Sequence, residues 1–84
     1  MKQRDNILVQ MEILAALFAS PKILTKICQS CNINMARVDA LIGPLVSHGL
    51  VRTEVIDGRE VYSITNEGYA LYKEWLEVWR KLSL

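Results

Sequence analysis

Val51-Arg52-Thr53-Glu54-Val55-Ile56-Asp57-Gly58-Arg59-Glu60-Val61-Tyr62-Ser63-Ile64 holds two short β-branched runs, Val51 to Ile56 and Glu60 to Ile64, joined through Asp57-Gly58. Asp-Gly between such runs is the strongest short hairpin signal, because both residues accept the positive φ that a two-residue turn demands. Side chains alternate along a strand, so Val51, Thr53, Tyr62 and Ile64 fall on one face.

Everything on either side of this hairpin has helical spacing. Immediately before it, Asn34 can cap a helix whose stripe of Met35, Val38, Leu41, Ile42, Leu45 and Val46 faces a core and which Gly49 stops. Pro44 within it removes a backbone donor, at a cost of about 3 kcal/mol in a helix interior, which predicts a kink after Ala40. Further back, Ser20-Pro21 reads as the cap and first turn of a shorter helix ending near Ser30 and carrying Lys22 and Lys26. Cys31, Asn32 and Ile33 then make a tight connection. From Asn6 to Ala19, Ile7, Met11, Leu14 and Phe18 form one apolar face and Val9, Ile13, Ala16 and Leu17 a second. After the hairpin, Thr65 can cap a last helix reaching about Leu82. It has two stripes, Leu71, Trp75, Val78 and Leu82 on one, and Tyr69, Tyr72, Leu76 and Trp79 on the other.

The order is helix, helix, tight turn, helix, hairpin, helix: mainly α with a small β-hairpin, the winged helix-turn-helix plan with the hairpin as wing. Residues 1–84 read as a single domain with 66–82 as a C-terminal dimerisation helix. The stretch from Lys22 to Leu82 resembles a small archaeal winged-helix family that contains dimeric transcriptional regulators and chromatin-associated proteins. The resemblance is carried by Lys22-Ile23-Leu24-Thr25-Lys26, by Asn32-Ile33, by Leu50-Val51 after Gly49, and by Val61-Tyr62-Ser63-Ile64-Thr65-Asn66-Glu67-Gly68. It implies double-stranded DNA as a partner.

In such a fold the third helix enters the major groove while the second helix and the wing meet phosphates. Arg37 is the candidate guanine reader, and Asn32 and Asn34 candidate adenine readers. Ala36 and Ala40, beside Gly43 and Ser47, make a smooth surface that can touch thymine methyls. Asp39 on the flank would repel phosphate. Lys22 and Lys26, Arg52 at the base of the wing and Arg59 at its tip are the candidate phosphate contacts, with Lys2 and Arg4 in addition. So few readers predict modest specificity, helped by DNA shape.

With 51% hydrophobic residues, two tryptophans and three tyrosines in 84 residues, the chain has more apolar mass than a small monomer easily hides. That excess predicts a homodimer, with Val9, Ile13, Leu71, Trp75, Val78, Trp79 and Leu82 as candidate interface residues. A dimer would set two third helices about 34 Å apart, one turn of DNA.

Net charge is only +1, little for a nucleic-acid binder. A second reading therefore stays open, a winged-helix module that binds protein through its smooth third helix. No membrane-spanning run, signal core, catalytic constellation, cofactor motif or small-molecule site is legible, which points to a cytoplasmic, nucleoid-associated protein that is not an enzyme. Cys28 and Cys31 have a two-residue spacing used in zinc and redox sites, but His48 is the single histidine. Reduced, partly buried thiols are the expectation, with a disulfide open for a hyperthermophilic source and no metal site. His48 suits the helix terminus beside Gly49.

Overall fold

The computed structural model describes residues 6–83, so Lys2 and Arg4 lie outside the described residues. In chain order these residues form α1 (Asn6–Ala19), β1 (Lys22–Ile23), α2 (Leu24–Cys31), α3 (Met35–Ser47), β2 (Val51–Ile56), β3 (Arg59–Ile64) and α4 (Asn66–Ser83). The sequence-based order holds, with one element added.

That element is β1. Lys22 pairs with Tyr62 and Ile23 with Val61, making a three-stranded antiparallel sheet in the order β1-β3-β2. Helix 2 therefore begins at Leu24, not at Pro21. Ile23 precedes it with φ −76° and ψ 162° and makes no side-chain cap. Backbone pairing with β3, a partner nearly forty residues away, outweighs the local Ser-Pro start signal. Lys22 moves with it: its ammonium lies at the end of α1, donating to the carbonyls of Ala16 (2.7 Å) and Ser20 (3.2 Å) and to Ser20 Oγ (2.9 Å). The last turn of α1 has no basic residue of its own, and the lysine supplies the positive charge that exposed carbonyls attract.

The other local signals appear as geometry. Asp57 (φ 52°) and Gly58 (φ 76°) are both left-handed, as a type I′ hairpin turn requires, and the strands run in register from Val51 opposite Ile64 to Ile56 opposite Arg59. Asn34 Oδ1 accepts from Ala36 N at 2.7 Å and caps α3. At its other end Leu50 N donates to Leu45 O and Gly49 N to Val46 O, a Schellman close around Gly49 at φ 74°. Pro44 sits inside α3 without ending it, and the helix runs unbroken to Ser47. Ala40, whose carbonyl loses its donor, is exposed, so water can take the place of that donor.

The core gathers around α1, which packs on α2, α3, α4 and β3. Val9, Ile13, Leu14, Leu17, Ile27, Val38 and Val51 are its best-buried side chains. Val9 and Ile13 are both 0% exposed, which removes them from any partner surface. A central helix surrounded by neighbours needs apolar residues on more than one side, and the second face of α1 serves its own domain. The ends of its first stripe, Ile7 and Phe18, are the large apolar side chains that α1 leaves exposed.

Candidate nucleic-acid interface

Three elements meet on one side of the fold. Helix α2 ends at Cys31, Asn32 turns the chain in the left-handed region (φ 55°, ψ 53°), and buried Ile33 pins the turn to the core. Asparagine tolerates that conformation because its short polar side chain can hydrogen-bond locally and offset the cost of the Cβ clash. Helix α3 follows from this turn and is itself followed by the hairpin.

The outward side of α3 carries Ala36, Ala40, Gly43 and Ser47, all exposed, as its stripe predicts, with Asp39 exposed on the flank; Met35, expected in the core-facing stripe, is 52% exposed at the first turn instead. Arg37 is not among these exposed residues. It is half-buried, and its Nη2 donates to Asn6 Oδ1 at 2.7 Å, aiming the guanidinium at the start of α1. Lys26 is exposed on α2 beside Thr25, Gln29 and Ser30, and Asn32 is exposed in the turn. Arg52 and Arg59 are exposed on the hairpin, which also carries Glu54, Asp57 and Glu60. Of the sequence-predicted DNA contacts, the fold thus gathers Lys26, Asn32, Asn34, Ala36, Ala40, Arg52 and Arg59 on these three elements, and takes Lys22 and the head group of Arg37 elsewhere. Thr25 and Gln29 are exposed on the same helix, and as uncharged polar residues they carry no electrostatic signature in the sequence.

Behind α3 the electrostatics are governed by burial. Tyr62 is buried against the core and its hydroxyl donates to Glu60 Oε1 at 2.7 Å. Burial, then the Glu60 hydrogen bond and charge, and last the charge of Asp39, push its hydroxyl from 10.0 up to about 12. Because the folded-state value lies above the unfolded one, this contribution to stability is complete below pH 10 and is lost as pH rises from 10 towards 12. In a spectroscopic titration the Tyr62 phenolate is expected to emerge near pH 12, together with a loss of melting temperature that Tyr62→Phe does not show over the same range.

Cys28 and Cys31 are buried and are not joined in a disulfide. The Cys28 thiol contacts Met35 Sδ at 3.2 Å, and burial, with the charge of Asp39, pushes it up from its ordinary value. A thiol held protonated in a core is a packing group and a poor nucleophile. Among the described residues no three His, Cys, Asp or Glu side chains cluster as a metal site would need, and no helix is long and apolar enough to cross a membrane.

At the far side of the domain α4 divides along its length. Its first half packs inward: Leu71, Tyr72 and Trp75 lie against the core, while Phe18 stacks on Tyr69 (centroids 5.1 Å apart) and tilts against Tyr72 (5.7 Å). Leu71 and Trp75 are therefore turned to their own domain. Beyond Leu76 the helix outruns the domain, and Val78, Trp79 and Leu82 are 54%, 50% and 79% exposed. Trp79 rests on Trp75 at 5.4 Å.

Comparisons with known proteins agree with this architecture. The transcriptional regulator BldR from Sulfolobus solfataricus superposes with a TM-score of 0.83 at 23% identity, over 90% of this chain and 57% of that one. Thus the chain spans little more than half of that regulator's length. Sso10a-2, a DNA-binding protein from the same organism, gives 0.77 at 20% identity over 95% of this chain and 86% of the other. The homodimeric winged helix-turn-helix DNA-binding domain of Mb0332 from Mycobacterium bovis gives 0.71 at 23%, over 87% and 68%. No curated protein sequence matches the chain. The winged helix-turn-helix profile matches residues 3–83, nearly its whole length, and the chain belongs to that family.

Proposed function

We propose that this chain is a double-stranded DNA-binding protein that works as a homodimer, a transcriptional regulator of modest sequence specificity resident on the cytoplasmic nucleoid, with residues 1–84 acting as one non-catalytic domain. The observation that carries the reading is the outward face of α3. It is nearly free of bulk at Ala36, Ala40, Gly43 and Ser47, and it lies between α2 with exposed Lys26 and a hairpin with exposed Arg52 and Arg59. A helix with small side chains can seat deeply in a major groove while the flanking cations meet the backbone. The DNA-binding and homodimeric natures of the similar structures support it.

Dimerisation is assigned to the overhanging end of α4, where Val78, Trp79 and Leu82 are half or more exposed. A protein-binding role is the second reading. It is favoured by the mixed charge of the wing, where Glu54, Asp57 and Glu60 oppose Arg52 and Arg59.

A salt titration of binding to duplex DNA separates them. The parent is expected to weaken steeply with salt. Lys26→Ala with Arg59→Ala should remove four cationic contacts per dimer and flatten the slope of log affinity against log salt by about 3 to 4. Sedimentation of Trp79→Glu, Leu82→Glu should show a monomer that binds DNA less tightly than the parent dimer. Weak, salt-indifferent binding unaffected by the basic-residue changes would transfer the case to a protein partner.

A further inference from the structure

Among the described residues, the sole exposed charge on α3 is a carboxylate, Asp39, on the flank of the smooth face, with Ala36 one turn before it and Ala40 beside it. The basic residue that would ordinarily read guanine from this helix, Arg37, instead donates to Asn6 on α1. We propose that Asp39 is a specificity-determining residue that selects cytosine in the major groove, with Ala36 and Ala40 receiving thymine methyls on neighbouring steps. The inference rests on the DNA-binding reading and sharpens it.

The chemistry of base edges makes the choice. An ionised carboxylate only accepts hydrogen bonds. In the major groove guanine offers O6 and N7 and thymine offers O4, all acceptors, which repel it. Adenine sets its N6 donor beside the N7 acceptor, so attraction and repulsion come together. Cytosine alone presents an amino donor with no ring acceptor next to it. Position agrees, since Asp39 lies in the N-terminal half of α3, the part of a recognition helix that reaches base edges. The same charge weakens contact with any stretch of phosphates, so Asp39 lowers non-specific binding while it reads a base. That raises the ratio on which site selection depends.

The test is selection of the full chain, its Asp39→Asn variant and its Asp39→Ala variant on a pool of duplexes with a randomised central segment, followed by single-base-pair variants of the enriched site. Thermal melts first establish that both variants fold. The parent is expected to fix a cytosine in each half-site, with about tenfold weaker binding when it is replaced. Asp39→Ala should erase the preference at that position and leave the others. Asp39→Asn should move it to adenine, the base an amide pairs with bidentately. Both variants should bind random-sequence duplex more tightly than the parent. Identical preferences for parent and Asp39→Ala at every position would overturn the proposal. A parent that binds no duplex would instead overturn the DNA-binding reading, and this inference with it.

Discussion

Gly68→Ala is expected to destabilise the domain by about 3 kcal/mol, at the upper end of overpacking changes. In a domain of this size each kcal/mol moves the melting temperature by about 4 to 8 °C, so a drop of at least 10 °C should be read by calorimetry or circular dichroism. The sign is the informative part. Gly68 lies in the first turns of α4, and in an ordinary helix the same change stabilises by up to about 1 kcal/mol. Here a Cβ would be driven into the carbonyl oxygen of Leu50, with Leu50 C at 3.0 Å and Ile64 Cγ1 at 2.9 Å. Those are backbone and packed core atoms with little room to yield. Gly43 offers the control: it is on the outer side of α3 with nothing within 4 Å of an added Cβ. Gly43→Ala should leave the melting temperature unchanged or raise it.

Ile13→Ala should cost about 2 to 4 kcal/mol more than Ile7→Ala, a large share of the stability a small domain possesses. Ile13 is 0% exposed at the centre of α1, and its truncation leaves a cavity costing about 2 to 5 kcal/mol. Domains have only about 5 to 15 kcal/mol in total, so this variant is expected to be partly unfolded at 37 °C. Ile7, two turns earlier and 62% exposed, should cost less than about 0.5 kcal/mol in the folded chain. Denaturant titrations with a common slope would measure both. Comparable losses at the two positions would mean that the core is not centred where Val9, Ile13 and Leu14 place it.

The elements legible in the sequence were those fixed by neighbours in the chain. Asp57-Gly58, Asn34, Gly49 and Thr65 each act within a few residues of themselves, and each stands where its chemistry predicts. β1 was invisible because two residues carry no period and their pairing energy comes from Val61 and Tyr62. The position of Lys22 depends on the same distant pairing. The two apolar faces of α1 were legible, but which of them meets solvent depends on what packs around the helix. Thus Val9 and Ile13 looked like partner residues and are core. On α4 two stripes run the length of the helix in the sequence, but burial divides it across its axis near Leu76, because the domain is shorter than the helix. Arg37 shows the limit for the site: helical phase placed it near the groove-facing side, and only the position of Asn6 on another helix reveals where its guanidinium goes.

Thr65 joins the two working ends of the molecule. Its Oγ1 donates to Gly49 O at 2.6 Å and accepts from Gly68 N at 3.0 Å, while its N donates to Leu50 O at 3.1 Å. The residues that close α3 are thereby clasped to the residue that opens α4, with no slack chain between them. A rotation of α4 that kept these hydrogen bonds would carry the end of α3 with it. In a dimer joined through the α4 ends, the tilt of one subunit against the other and the pitch of the two reading helices would be a single degree of freedom. Whatever alters the grip between subunits would then alter, without any further moving part, which spacing along the duplex both can occupy at once.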